Sequence, residues 1–180
     1  MDKFDGNFRL VGTSDIGPIK AKVAALTDAD WNQVSWRQER FEIHKYTQTI
    51  ELIFDQDFRH ENPTRRDPYF SLGCEQMLAP IEKTIAGYFT GDGFSVRALL
   101  VNLKPGGRIR PHIDTGFSLM NCCRVHVPIS SNDLVGFTVG GEKRAMKEGE
   151  MWEVNNARTH SVENMGQTDR VHLIIDWIPT

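Results

Sequence analysis

The feature that most constrains the fold is a succession of short segments that begins at Phe94 and continues to the C-terminus. Glycine, proline and asparagine separate the segments, which are either apolar or alternate apolar with polar residues, as strands do. The segments are Phe94–Leu103, Ile109–Asp114, Cys122–Ile129, Leu134–Val139, Lys143–Met146, Glu150–Val154, Thr159–Asn164 and Arg170–Ile178. So many short strands in series predict a mainly β protein that folds as a closed sandwich such as a jelly roll.

The first half of the chain has a different pattern. Apolar residues recur at roughly helical spacing in residues 19–36 and 71–90, and Pro80 interrupts the second of these predicted helices. Between them, Gln48–Asp55 alternates as a half-buried strand does, and Asp57–Pro68 is polar like a surface loop. We therefore expect helices that flank the β-sandwich on its N-terminal side.

Length and composition indicate one globular domain. A chain of 180 residues suits a single domain, with residues 1–93 as a scaffold of helices and loops and residues 94–180 as the jelly-roll core that carries the site. The composition is 39% hydrophobic and 25% charged, with a net charge of -3. Nucleic acid is not an expected partner, because domains that bind phosphate usually carry a net basic surface.

The sequence also bears on the cellular compartment. Residues 1–10 mix charged with apolar residues, unlike a signal peptide, and no segment approaches the roughly 20 apolar residues that span a bilayer. Cys74, Cys122 and Cys123 are odd in number and lack the spacing of metal ligands. We expect a cytoplasmic protein with buried, reduced thiols and no membrane association.

Three residues could form a metal site. His112 and Asp114 are two positions apart, which on an extended strand puts both side chains on one face, and His160 lies in a later predicted strand. A His-x-Asp pair alone is common by chance. Two histidines and one carboxylate are, however, the ligand set that favours non-haem Fe(II) with open coordination positions.

Three further residues share the polar faces of predicted strands. In the last strand, Arg170 has the opposite parity to the apolar residues from Val171 to Trp177, so it should face into the barrel. An inward arginine needs an anion, and a dicarboxylate held by iron at one end and by Arg170 at the other explains the pair. Arg124 and His126 share one face of their strand and should face the same cavity.

The motifs in this half of the chain resemble one known family. They are Pro105-Gly106, Pro111-His112-Ile113-Asp114, Arg124-Val125-His126, Gly149-Glu150, Asn155-Asn156, His160-Ser161-Val162-Glu163-Asn164 and Arg170-Val171-His172-Leu173. In their order they resemble the aspartyl/asparaginyl β-hydroxylases, which are Fe(II)- and 2-oxoglutarate-dependent oxygenases and include small bacterial and phage members and relatives that hydroxylate free proline. Asn155 and Asn156 are interpreted as turn residues before the strand of His160.

The resemblance implies a double-stranded β-helix and a specific set of roles. His112, Asp114 and His160 would hold Fe(II), Arg170 would bind the distal carboxylate of 2-oxoglutarate, and Arg124 with His126 would contact the cosubstrate near its metal-bound end. The reaction implied is hydroxylation, with O₂, of an unactivated carbon of an amino acid such as Asp, Asn or Pro, free or in a peptide. 2-Oxoglutarate is decarboxylated to succinate, and ascorbate is an optional reductant.

The carboxylate of Asp114 bears on which branch of the family the chain resembles. Some β-hydroxylases that act on protein residues lack a carboxylate at the position of Asp114, so its presence favours the branch that acts on free amino acids. Residues 57–67 and 115–121 are irregular and are candidates to close over the substrate. The alternatives are a cupin-like small-molecule binding module and a metal-dependent cupin enzyme that does not use 2-oxoglutarate. Neither alternative requires both a metal triad and Arg170.

Overall fold

The computed structural model describes residues 3–33, 35–40, 42, 45–89 and 91–180. Val34 and Thr90, which fall within the two predicted helices, lie outside these residues. The helices are α1 (Gly17–Ala24), α2 (Asp28–Trp31), α3 (Trp36–Arg40), α4 (Asp67–Ser71), α5 (Cys74–Tyr88) and α6 (Phe117–Met120). The strands are β1 (Phe8–Thr13), β2 (Thr47–Asp55), β3 (Pro63–Arg65), β4 (Gly93–Leu103), β5 (Arg108–His112), β6 (Cys123–Ser130), β7 (Val135–Val139), β8 (Glu142–Arg144), β9 (Glu150–Val154), β10 (His160–Asn164) and β11 (Arg170–Pro179).

The strands form two antiparallel sheets that face each other. The larger has seven strands in the order β1-β9-β6-β11-β4-β2-β3, and the smaller has four in the order β5-β10-β7-β8. Neighbours in each sheet are distant in sequence, as in a jelly roll, where the chain passes repeatedly between the sheets. The predicted mainly β jelly roll with flanking helices is confirmed.

The main hydrophobic core lies on the outer face of the large sheet. There β11 contributes Leu173 and Ile175, which pack with the buried face of α5, including Ile81 and Ile85. Because side chains alternate along a strand, the opposite face of β11 carries Arg170, His172, Ile174 and Asp176 toward the small sheet. The polar interior of the sandwich is therefore separated from the main core by a single layer of backbone.

The expectation that residues 1–93 contain only helices, loops and one half-buried strand is wrong. β1, β2 and β3 all belong to the seven-stranded sheet, and β2 is buried along almost its whole length. The reason is that β2 pairs with the central strand β4, while helices cover its outer face. The predicted loop 57–68 also includes β3, which pairs with the end of β2.

Two other sequence expectations concern the helices and the cysteines. α5 runs without interruption through Pro80, so the break expected there does not occur. Cys74, Cys122 and Cys123 are buried and unpaired, as expected. Burial raises the pKa of Cys74 to about 11 and that of Cys123 to about 12, which keeps both thiols protonated. Within the described residues, none of the helices has the length and apolar character needed to span a membrane.

The central position of β11 leads to a stability prediction. Leu173 has no exposed surface, so Leu173→Ala should lower the free energy of unfolding by about 2–5 kcal/mol through lost burial and a residual cavity. Leu134 is 60% exposed, so Leu134→Ala should change it by no more than about 0.5 kcal/mol. Denaturant unfolding of both variants measures the difference, and equal effects would contradict this account of the core.

Candidate metal centre

His112, Asp114 and His160 meet at the edge of the small sheet. β5 and β10 are antiparallel neighbours, and their register places His160 directly opposite His112. Asp114 follows two residues after the end of β5, and its Oδ1 lies 3.7 Å from Nε2 of His112 and 3.8 Å from Nε2 of His160. One potential ligand atom from each residue lies within 4.8 Å of the others. The structure therefore brings together the three predicted ligands.

Both histidines direct Nε2 toward Oδ1 of Asp114. Nδ1 of His112 lies 2.8 Å from the carbonyl oxygen of Arg110, and Nδ1 of His160 lies 3.0 Å from that of Arg158. A carbonyl oxygen only accepts, so each Nδ1 carries a hydrogen, and Nε2 is the ring nitrogen that faces Asp114. Burial lowers the pKa of His160 against the opposing effect of Asp114, which favours the neutral ring.

Asp114 is oriented by two donors. Its Oδ2 accepts hydrogen bonds from Nη1 of Arg124 and, at 3.2 Å, from Nδ2 of Asn156. Its backbone N–H donates to the carbonyl oxygen of Asn156 at 3.2 Å. Burial by itself would raise the pKa of Asp114, but the Arg124 guanidinium and the hydrogen bond from Asn156 oppose this effect, and the pKa is lowered. The carboxylate is thus ionised, with Oδ1 directed toward the histidines.

Arg124 connects Asp114 to the large sheet. Its Nε and Nη2 donate to the two carboxylate oxygens of Asp176 at 2.8 and 2.9 Å, a bidentate pair between neighbouring strands β6 and β11. Burial would lower the pKa of Arg124, but Asp114 and Asp176 together raise it. Arg124 lines the cavity as predicted from strand parity, but its guanidinium donates to these two carboxylates.

A cavity of about 110 Å³ lies between the two sheets and opens from the metal site. Its walls come from both sheets and from α6. The lining residues are Thr49, Arg97, Val101, Ile109, His112, Asp114, Leu119, Arg124, His126, Phe137, His160, Val162, Arg170 and Ile174. All six residues predicted from sequence to form the site therefore lie on one cavity.

Arg170 is a buried cation without a carboxylate partner among the described residues. The residue is 1% exposed, its Nη2 donates to Nδ1 of His172 at 2.8 Å, and its Nε has no hydrogen-bond partner. Burial lowers the pKa of Arg170 to about 9. A buried cation is costly unless an anion accompanies it. This side chain is therefore a ready binding group for a carboxylate that enters the cavity.

His126 and His172 lie next to Arg170. Their Nδ1 atoms are 3.4 Å apart, and the His126 ring packs edge-on against Phe137 with ring centroids 5.0 Å apart. Burial and the nearby Arg170 cation hold the pKa of each histidine well below its usual range. Because Nδ1 of His172 accepts from Arg170, this ring is a neutral acceptor. The pair orients Arg170 without neutralising its charge.

Sequence reasoning missed several residues of the site. Asn156 was interpreted only as a turn residue, yet its side chain supports Asp114. His172 and Asp176 share the parity of Arg170, which was the available signal for both. Arg97 lies in the predicted strand Phe94–Leu103, and no sequence signal distinguished it.

The donor set fits a divalent iron. Two neutral imidazole nitrogens and one carboxylate oxygen converge from one side, and the cavity leaves the other side for further ligands. The guanidinium of Arg170 in the same cavity, whose Nε has no partner among the described residues, fits the far carboxylate of a dicarboxylate cosubstrate. Metal donors and anion-binding group thus occupy one enclosed space.

Solved structures with a similar fold include several oxygenases. A protein of the 2OG-Fe(II) oxygenase family from Burkholderia pseudomallei has a TM-score of 0.58 at 16% identity, over 73% of this chain and 67% of that chain. AviO1 from Streptomyces viridochromogenes has a TM-score of 0.57 at 14% identity, over 96% of this chain and 89% of that chain. A viral collagen prolyl hydroxylase from Paramecium bursaria Chlorella virus-1, in its 2OG complex, has a TM-score of 0.51 at 8% identity, over 96% of each chain.

These similarities show the fold, a jelly roll, and the cavity of this chain carries three converging potential metal ligands. The sequence identifies the family more closely, because the model of the aspartyl/asparaginyl β-hydroxylase family matches residues 73–179, more than half of the chain. The chain therefore belongs to the aspartyl/asparaginyl β-hydroxylase family and is a hydroxylase. No curated protein matches it significantly in sequence.

The support of Asp114 by Asn156 can be tested with a neighbouring control. Asn156→Ala removes one donor to Asp114 and should weaken Fe(II) binding about 10-fold or more. Asn155→Ala is the control, because the Asn155 amide donates to the carbonyl oxygens of Phe4 and Gly6 instead. Anaerobic calorimetric titration with Fe(II) measures both affinities. Equal weakening in the two variants would contradict a specific role for Asn156.

Proposed function

We propose that this hydroxylase uses Fe(II), 2-oxoglutarate and O₂ to hydroxylate an unactivated carbon of an amino acid such as Asp, Asn or Pro, free or in a peptide. One oxygen atom of O₂ enters the new C–OH group, and the other enters succinate, which forms with CO₂ from 2-oxoglutarate. The observation that carries the proposal is Arg170, a buried cation without a carboxylate partner in the described part of the chain, on the same cavity as His112, Asp114 and His160.

In this proposal the three converging residues hold the metal. Nε2 of each histidine and Oδ1 of Asp114 would be the donors, and the hydrogen bonds of their remaining polar atoms support that assignment. When bound, Fe(II) supplies the activation of O₂. The chain orients the donors, surrounds the site with low-dielectric walls and limits the access of water.

Arg170 would bind the distal carboxylate of 2-oxoglutarate. Its Nε lacks a partner, and a planar guanidinium can receive a carboxylate through two parallel hydrogen bonds. His172 supports this role because it accepts from Nη2 and so limits the rotation of the guanidinium. His126 lies between Arg170 and Arg124 on the cavity wall, where it would contact the bound cosubstrate.

The rival functions account for less of the site. A cupin-like binding module has no need for three oriented donors together with a buried arginine, and a cupin enzyme that does not use 2-oxoglutarate has no need for Arg170. Burying a cation without an anion costs free energy, so a buried arginine at position 170 indicates that an anion binds there. Membership of a hydroxylase family supports the same choice.

Succinate release tests the proposal directly. The chain should release succinate from 2-oxoglutarate with Fe(II), O₂ and ascorbate, and one or more free amino acids or peptides should stimulate the release. His112→Ala and His160→Ala should each remove Fe(II) binding and this activity, because only two of the three donors remain. Arg108→Gln is a control, since this β5 side chain is 58% exposed. Full iron binding in both alanine variants would rule out the proposed donor set.

Arg170 separates 2-oxoglutarate binding from metal binding. Arg170→Lys keeps a cation but loses the forked geometry, and Arg170→Gln removes the charge as well. We expect the affinity for 2-oxoglutarate to fall about 10- to 100-fold in the first variant and further in the second. Fe(II) affinity should stay within a few-fold of wild type, because Arg170 contacts none of the three proposed donors. Unchanged 2-oxoglutarate affinity in Arg170→Gln would reject the assignment.

A further inference from the structure

A second arginine lies in the same cavity with an unused donor. Arg97 is 3% exposed and belongs to β4, and its Nε forms a buried ion pair with Asp55. Its guanidinium stacks against the rings of Phe54 and Phe58, with centroid distances of 4.9 and 5.0 Å. Its Nη2 is buried and has no hydrogen-bond partner among the described residues. An orphaned donor on a buried cation is costly, so this group is poised for an acceptor.

Asp55 pairs with Nε of Arg97 but provides no acceptor for Nη2, because its other oxygen accepts from different donors. The hydroxyl of Ser118 donates to its Oδ2, and the backbone N–H of His60 does so at 3.4 Å. Arg124, by comparison, donates to two carboxylates and needs no further anion. Of the three arginines that line the cavity, Arg97 and Arg170 therefore retain an unused donor.

The two unused donors come from opposite ends of the strands. Arg170 begins β11 and pairs with Leu103 at the end of β4. Arg97 pairs with Asp176 near the other end of β11, in the row that also contains Arg124. Arg124 in turn binds Asp114, so this row is the one linked to the metal site. Arg170 and Arg97 are therefore well separated along the strands, and Arg97 is the one in the row linked to Asp114.

The surroundings of Arg97 favour a small ligand. Phe58 stacks on the guanidinium and its carbonyl oxygen accepts from the backbone N–H of Ser118 in α6 at 3.3 Å. Leu119 of the same helix lines the cavity. The two segments predicted to close over the substrate thus contact each other beside Arg97. A polypeptide passing through this point would have to separate them.

We propose that Arg97 binds a carboxylate of the primary substrate, so that the enzyme acts on a free amino acid through its α-carboxylate and not on an internal residue of a polypeptide. Nη2 of Arg97 donates to one carboxylate oxygen, which satisfies the orphaned donor. This inference rests on the proposed function, which assigns Arg170 to 2-oxoglutarate.

The first test compares free acids with their carboxamides on the wild-type chain. Each of the twenty L-amino acids, its carboxamide and its N-acetylated carboxamide is titrated by calorimetry into the Fe(II)- and 2-oxoglutarate-loaded protein without O₂. At least one free acid should bind, and its carboxamide should bind about 100-fold more weakly, because the amide cannot provide a charged acceptor. Binding of the carboxamide with equal affinity overturns the inference, as does the absence of binding by every free acid.

The second test identifies the side chain that discriminates. In Arg97→Gln the affinity for the free acid should fall about 100-fold and approach that of the carboxamide, because the charged donor is gone. Arg97→Lys should keep part of the preference for the free acid over its carboxamide. Arg108→Gln, an exposed arginine on β5, should keep all of it. A role limited to pairing Asp55 would lower the melting temperature and weaken acid and amide equally, and that result overturns the inference.

Failure of the inference and failure of the proposed function give different results. If 2-oxoglutarate does not bind to the Fe(II)-loaded chain, the proposed function fails and the inference fails with it. If 2-oxoglutarate binds but only the N-acetylated carboxamides or peptides stimulate succinate release, the proposed function stands and Arg97 is not a substrate anchor. If the Arg97 variants do not fold, the comparison of acid and amide on the wild-type chain decides.

Discussion

The site depends on a chain of buried ion pairs that connects the two sheets. Asp176 on β11 has no exposed surface, and its partner Arg124 on β6 reaches from it to Asp114, next to the histidines of the small sheet. Charges removed from water are stable only when paired and hydrogen-bonded, so these three groups are mutually dependent. Because Arg124 takes both oxygens of Asp176 and only Oδ2 of Asp114, Oδ1 stays free to face the histidines. The ion pairs that hold the sheets together therefore also orient the proposed metal ligand.

The arginines of the cavity differ in how completely they are paired, and this difference relates the fold to the chemistry. Arg124 has two carboxylate partners, Arg97 has one that is shared, and Arg170 has none among the described residues. A structural arginine is expected to be fully compensated. The unsatisfied donors thus mark where anions would bind, and in this cavity they mark two places, Arg97 and Arg170. The proposed reaction uses two organic molecules, a cosubstrate and a primary substrate, and the cavity has two such places.

Much of the β-sandwich could be predicted from sequence because its strands are short, separated by turn residues and alternate clearly. The inward direction of Arg170 followed from the apolar residues that flank it on β11. β2 was harder to interpret, because Thr47, Thr49, Glu51 and Asp55 are polar yet buried in the interior of the sandwich. Polar residues of this kind make a fully buried strand resemble a half-exposed one. β1 is short and carries a register shift in its pairing with β9, so its pattern is too weak to detect.

The register between strands is the part that local sequence cannot supply. His112 and His160 are far apart in the chain, and only the pairing of β5 with β10 makes them direct neighbours. Asn156 reaches Asp114 through the same pairing, and Arg97 meets Asp176 through that of β4 with β11. Such contacts depend on sheet order, which local propensity does not encode. The family resemblance identifies the proposed metal ligands without knowledge of the sheet order, but it does not identify Arg97.

The cover of the cavity belongs to the same electrostatic system. Phe58 and His60 have φ values of 58° and 55°, a left-handed conformation that costs a non-glycine residue roughly 1 kcal/mol. The conformation is stabilised by contacts with α6, namely the hydrogen bond from Ser118 to Phe58 and the packing of the His60 ring on Phe117 at a centroid distance of 4.9 Å. Asp55 accepts hydrogen bonds from both segments while it pairs with Arg97. The proposed substrate carboxylate at Nη2 would bind beside this ion pair, so recognition of the substrate and the position of the cover meet at one buried pair of Arg97 and Asp55.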